Sequence, residues 1–252
     1  MTTSEYLIAG NWKMNGSQSA AAALSAAVAA GADAAPAKAE LLICPPALHL
    51  AAAQAALGDG AVRLGGQDCH EAEGGAFTGD VSAEMLKDMG CSHVIVGHSE
   101  RREGHGESDS LVWRKASAAL RAGLTAVICV GETEQERQAG LAEETVAKQV
   151  KAGVPDGADG DTVAVAYEPI WAIGSGRTPD LDEIAAVHGA IRQALTELLG
   201  DEKGAAVRLL YGGSVKPSNA AEILALDEVD GALVGGASLQ ADDFLAIAAA
   251  IA

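Results

Sequence analysis

A glutamate stands where a β-rich run stops. In YEPIWAIGSGRT, Tyr167 to Thr178, the preceding residues from Val163 are β-branched, small or aromatic and suit a buried strand, and Glu168 marks its end. Pro169 cannot extend the ladder, and Ile170, Trp171, Ala172 and Ile173 form an apolar tip before Gly174, Ser175, Gly176 and Arg177. A carboxylate beside such a tip suits proton abstraction, provided the tip folds over a small substrate and excludes water. The other reading is a strand-to-helix turn whose Trp171 packs on a neighbour. The stretch by itself leaves both open.

Other polar residues fall at comparable places. The first strand runs into Gly10-Asn11-Trp12-Lys13, where strand alternation puts Asn11 and Lys13 on one side, able to hold an anion, and Trp12 on the other. His98 ends another strand and is followed by Ser99-Glu100-Arg101-Arg102. A helical turn starting at Ser99 would disfavour protonation of His98 and leave a neutral donor for a carbonyl oxygen. A histidine satisfied by local backbone fits equally well. His49, His70, His93, His105 and His188 have no such context and read as structural or surface residues. The last two strands end alike, in Gly212-Gly213-Ser214 and Gly235-Gly236-Ala237-Ser238. Two Gly-Gly turns after successive strands, the second opening a short helix, make a backbone cradle for phosphate.

The elements that must position these groups alternate from end to end. Strands are expected at 6–12, 41–44, 62–67, 93–97, 125–130, 163–168, 208–211 and 232–234. Helices are expected near 17–30, 47–57, 82–89, 108–122, 134–152, 180–199, 218–225 and 241–250, with Ser82 as one N-cap and Thr178-Pro179 opening another. Strict alternation implies a parallel sheet, and eight units in 252 residues match a closed (β/α)8 TIM barrel forming a single domain, residues 1–252. An open doubly wound sheet is the alternative, but no GxGxxG follows the first strand. In the barrel, chemistry belongs at the C-terminal strand ends, where Asn11, Lys13, His98, Glu168 and the Gly-Gly turns all lie.

With 49% hydrophobic but only 3% aromatic residues, the core must be aliphatic. A net charge of −18 argues against nucleic acid or an anionic membrane surface as partner, and an anionic substrate needs local compensation. Cys44, Cys69, Cys91 and Cys129 form no CxxC pair and no metal-ligand spacing, so free thiols, a cytoplasmic location and no metal site are expected. Residues 17–30, which include the Ala-rich run 20–30, read as a surface helix rather than a secretory leader, and nothing else approaches the length of a membrane span. The loop from Gln67 to Asp80 is long and Gly-rich, as loops are that either carry function or reach a partner chain, and Phe77 and Thr78 at its tip would be poorly protected on a monomer.

Taken in order, NWKMN, GHSERR, YEPIWAIGSGRT, YGGSV and LVGGASL together resemble the triosephosphate isomerase family, over the chain from Tyr6 to about Leu239. The resemblance implies a homodimeric (β/α)8 barrel without cofactor or metal that interconverts dihydroxyacetone phosphate and D-glyceraldehyde 3-phosphate, the step shared by glycolysis and gluconeogenesis. It implies Glu168 as catalytic base and His98 as neutral electrophile, roles for which this family is itself a standard example. Asn11 and Lys13 match its substrate-binding pair, and Gly174, Ser214, Gly235 and Gly236 its phosphate-binding positions. Glu100 matches the carboxylate paired with the lysine, Ser99 the partner of the base when the lid is open, and Glu132 and Tyr211 the groups that hold the closed lid. The lid itself spans Pro169 to Arg177, with those two residues as hinges. The stretch GAFTG, with Phe77 and Thr78, resembles the arm that enters the neighbouring subunit. Arg177 departs from the family's pattern, in which lysine is common. A metal-dependent phosphosugar epimerase would need His and Asp ligands at several strand ends. A silent binding barrel would lack Glu168 or His98.

Overall fold

Alternate residues of a strand point to opposite faces, and here both faces are apolar, so every strand has to be covered twice. The computed structural model describes residues 5–173 and 177–251. Its strands are β1 (Tyr6–Asn11), β2 (Ala39–Cys44), β3 (Arg63–Gly66), β4 (His93–Val96), β5 (Thr125–Val130), β6 (Val163–Tyr167), β7 (Arg208–Tyr211) and β8 (Gly231–Val234). Each pairs in parallel with the next, and β8 returns to β1 from Leu7 opposite Gly231 to Gly10 opposite Val234, which closes the eight-stranded barrel. One alternating set fills its interior, with Leu7, Ala9, Leu42, Ile95, Val127 and Leu210 among its members. The other set, including Ile8, Ile43, Val94, Ile128, Val165 and Leu209, packs outward with the helices. Small interior residues such as Ala9, Ala164 and Ala166 let the barrel close without aromatic filling.

The helices are α1 (Gln18–Ala30), α2 (Leu50–Leu57), α3 (Ala83–Asp88), α4 (Ser99–His105), α5 (Asp109–Arg121), α6 (Glu134–Gln138), α7 (Ala142–Gly153), α8 (Leu181–Leu199), α9 (Asp201–Ala206), α10 (Ala220–Leu224) and α11 (Ala241–Ala249). The expected starts at Ser17 and Ser82 are side-chain caps, Ser17 accepting from Ala20 N–H and Ser82 from Met85 N–H. Four expectations are corrected. The helix read as 134–152 is two, because Gly140 has φ 72° and breaks the ladder between α6 and α7. The run 47–57 opens with a 3-10 turn at 47–49 before α2 begins. The short α9 was not anticipated: Gly200, at φ 86°, ends α8 and lets a new turn start. Finally, α8 is not opened by Thr178-Pro179. Asp180 is its N-cap, accepting from Glu183 N–H at 2.8 Å while Glu183 accepts from Asp180 N–H at 2.9 Å. This reciprocal box satisfies two end donors that a proline at the first helical position would leave to water.

The corrected cap makes a prediction. Asp180→Ala should cost about 1 kcal/mol in urea unfolding at fixed protein concentration, whereas Thr178→Ala should change stability by less than about 0.5 kcal/mol. The reverse order would return the cap to Thr178.

Candidate active site

A cavity of about 790 Å³ opens at the C-terminal ends of the strands, and Asn11, Lys13, His98, Glu168, Ser214 and Gly235 line it. Each arrives by a different local device.

At the end of β1, Asn11 is buried and its Oδ1 accepts from Lys13 N–H at 3.0 Å. The strand has already stopped, and Lys13 adopts φ 52°. The expected alternation therefore does not extend to Lys13; a left-handed turn, costing about 1 kcal/mol, carries it round to the cavity. Gln67, which nothing in the sequence marked as part of the site, holds this turn by donating Nε2 to Lys13 O at 2.9 Å and to Cys44 O at 2.8 Å. Its position at the C-terminal end of β3 was the available signal. Trp12 is buried on the opposite side, as expected. Lys13 Nζ lies 2.6 Å from Glu100 Oε1, the pairing the resemblance implied.

At the end of β4, His98 is the N-cap of α4, so the expected turn at Ser99 is a full helix. His98 Nδ1 accepts from Glu100 N–H at 3.2 Å. A ring nitrogen that accepts carries no proton, so the imidazole is neutral with its hydrogen on Nε2. Nε2 lies 3.0 Å from Glu168 Oε1.

Glu168 is 2% exposed. Ser99 N–H donates to its Oε2 and Ser99 Oγ to its Oε1, each at 3.0 Å. Burial pushes the carboxyl's pKa up, but the donors of His98 and Ser99 together outweigh it and hold the carboxyl below its ordinary value. The expected desolvated base is therefore dry yet stabilised as the anion, because three donors replace the lost water. The end of β6 lies so close to β5 that a Cβ on Gly131 would fall 1.8 Å from Glu168 O. Only glycine fits there, a requirement invisible in the sequence.

The apolar tip divides the two readings offered for it. Trp171 is half-buried in the 3-10 turn Ile170–Ala172, and its Nε1 donates to Glu132 Oε1 at 2.7 Å. The Arg177 and Arg137 guanidinium groups lie 5.1 and 5.6 Å from its ring centre. Trp171 thus packs on a neighbour, while Ile173 lines the cavity. Glu132 is fully buried, accepts also from Tyr167 OH at 3.0 Å, and burial pushes its pKa up. Arg177 donates to Glu134 and to Trp171 O. The Tyr211 hydroxyl is buried and has no hydrogen-bond partner among the described residues. Gly174, Ser175 and Gly176 lie outside the described residues.

The two Gly-Gly turns face the same cavity. The N–H of Gly212 is taken by Tyr167 O, but those of Ser214, Gly235 and Gly236 have no acceptor among the described residues. Asn219 braces the first turn, accepting from Lys216 N–H at 2.8 Å and donating to Ser214 O at 3.0 Å. Buried Ser238 braces the second, donating Oγ to Gly235 O at 2.7 Å. The expected short helix after Gly235 is a four-residue 3-10 turn, Gly236–Leu239. Away from the cavity, the Phe77 ring lies 4.0 Å from that of His70, which gives this half-buried histidine a packing role within its loop.

Taken together, a dry carboxylate, a neutral imidazole donor, a lysine and three uncommitted backbone donors surround one space. Such a set can move a carbon-bound proton next to a carbonyl in a phosphorylated molecule. The hydrogen bonds to Glu168 stabilise the fold above the carboxyl's unfolded pKa, and that contribution is lost as pH falls through the lower folded value. Ser99→Ala removes one donor to the anion. The Glu168 titration, followed by ¹³C NMR of the side-chain carboxyl, should move to higher pH, and an unchanged midpoint would remove Ser99 from the account.

A family model described as triosephosphate isomerase matches residues 6–251. The triosephosphate isomerase of Rhodopseudomonas palustris (strain BisA53) is 58% identical over 245 residues, covering 96% of this chain and 96% of that one. That of Ruegeria pomeroyi (strain ATCC 700808 / DSM 15171 / DSS-3) is 58% identical over 246 residues, covering 97% and 96%. The crystal structure of triosephosphate isomerase from Bartonella henselae is similar to this chain with a TM-score of 0.89 at 48% identity, covering 96% of this chain and 97% of that one.

Proposed function

From the premise that the chain belongs to the triosephosphate isomerase family, we propose how its own residues carry the reaction. The enzyme interconverts dihydroxyacetone phosphate and D-glyceraldehyde 3-phosphate, a step of glycolysis and gluconeogenesis, and the barrel acts as one domain. The observation that carries the assignment of roles is the convergence on one cavity of Asn11, Lys13, His98, Glu168 and the N–H groups of Ser214, Gly235 and Gly236, which have no acceptor among the described residues.

The phosphate sits on those backbone donors, and Gly174 of the lid completes its grip. The substrate carbonyl then faces His98 Nε2 and Lys13 Nζ, with Asn11 holding the lysine turn. Glu168 removes a proton from the carbon beside the carbonyl, the two donors meet the charge of the enediolate, and the carboxyl returns the proton to the neighbouring carbon. In the observed arrangement Glu168 is held by Ser99 and His98, so substrate must displace it. Leaving those donors raises the basicity of the carboxylate at the moment it meets the carbon acid. Glu132 and Tyr211 steady the lid, and Trp171 and Ile173 keep water from the enediolate, which would otherwise lose phosphate. Binding energy at the remote phosphate drives that closure, with Pro169 and Arg177 as hinges. No cofactor or metal enters this scheme.

The acting form is a homodimer. Met14, Leu48, Phe77 and Met85 are 95, 83, 45 and 54% exposed, and all belong to the first three strand-helix units, so one side of the barrel carries them. The arm with Phe77 and Thr78 enters the partner there, Thr78 reaching toward its active site. Four free, buried cysteines support a cytoplasmic location, and among the described residues no helix is long and apolar enough to cross a membrane.

Glu168→Asp withdraws the carboxylate by about 1 Å, so kcat should fall by about 10²-fold, with glycerol 3-phosphate still bound and chelator present throughout. Equal kcat in the two proteins would sink the base assignment. Deleting residues 75–79 should halve the mass seen by light scattering, and an unchanged mass refutes the arm.

A further inference from the structure

A chain with a net charge of −18 repels a phosphate dianion before any hydrogen bond forms. The cavity lining holds two lysines and no arginine among the described residues. The Lys13 charge is offset at long range by Glu100 at 2.6 Å, although its other N–H donors stay free for contact with substrate. Lys216 is different. It lines the cavity two residues beyond Ser214, is exposed, and makes no ion pair with any described residue. Its backbone is held in place: its N–H donates to Asn219 Oδ1, Asn219 in turn donates to Ser214 O, and the following Pro217 restricts its conformation. Opposing it in sign, Asp243 in the first turn of α11 also lines the cavity, exposed and outside any ion pair among the described residues.

We propose that Lys216 is a substrate-steering residue. Its charge at the phosphate end of the mouth draws the dianion in against the field of the acidic chain, and Asp243 opposes it. The proposal rests on the triose phosphate reading above and adds a residue to it. Lys216 acts at a distance and touches no reacting atom, so its contribution is the same in the ground state and the transition state and falls on KM. It also makes the salt response a balance. In the wild type, salt screens the attraction of Lys216 and the repulsion of the whole chain together, and kcat/KM should change little with ionic strength.

The test is kcat and KM for glyceraldehyde 3-phosphate from about 10 mM to 0.5 M salt. A unit charge about 10 Å from a dianion is worth about threefold at the low end and vanishes at the high end. Lys216→Gln should therefore lower kcat/KM about threefold in low salt, through KM, and recover as salt rises. Lys216→Glu should lose about tenfold, Lys216→Arg should follow the wild type, and Asp243→Asn should rise in low salt. Phosphate-free glyceraldehyde should show equal kcat/KM in every variant. A Lys216→Gln salt profile superimposable on the wild type, or the same loss with glyceraldehyde, overturns the proposal while wild-type isomerase activity leaves the functional reading standing. Absence of wild-type activity overturns both.

Discussion

The return of β8 onto β1 is the constraint from which the site follows. Closure forces neighbouring strand ends together, so Asn11 lies beside the second Gly-Gly turn and Ser238 Oγ reaches both Gly235 O and Asn11 O. On the far side, Gly212 N–H bonds Tyr167 O, and Glu168 N–H bonds Val130 O, so three successive strand ends are tied by backbone alone. The rigid ring of strand ends is what makes positions so distant in the chain act on one molecule. It also explains why a Cβ at Gly131 has no room: the loops leaving β5 and β6 begin before the strands have diverged.

Two buried carboxylates at adjacent strand ends show how local donors divide one chemistry into two. Glu168 receives a backbone N–H, a hydroxyl and an imidazole, and these outweigh its burial. Glu132 receives a phenol and an indole, and burial outweighs them. The first is held toward its anion away from solvent. The second suits anchoring, since Tyr167 in β6 and Trp171 in the 3-10 turn that follows hold it at the same time.

The composition and the site pull in opposite directions. An acidic, alanine-rich chain gives small interior residues and a barrel that closes tightly, but its field opposes the substrate it serves. In the proposed scheme, backbone donors at Ser214, Gly235 and Gly236 answer this at contact range without adding charge. Asn219 and Ser238 brace these turns through the Ser214 and Gly235 carbonyls.

Much of this was legible in the sequence. Strict alternation of strands with Ala-rich helices pointed to a parallel sheet covered on both faces, and eight such units without a GxGxxG after the first strand favoured the closed barrel over an open doubly wound sheet. Glu168, His98 and the Gly-Gly turns stood out because polar or glycine residues interrupt apolar runs at strand ends. What tertiary structure alone decided were the contacts between those ends. Gln67 holds the site through bonds to the carbonyls of Lys13 and Cys44, which no local pattern links to it. Lys13 reaches the cavity by a left-handed turn rather than by strand alternation, and a strain of that kind persists only where long-range bonds support it. The ionisation of Glu168 was likewise undetermined: burial alone predicts a raised pKa, and only the approach of Ser99 and His98, at the start of α4, reverses it. Periodicity and residue type decide which groups face the site, whereas the balance of forces on each group depends on neighbours that the closed barrel brings within 3 Å.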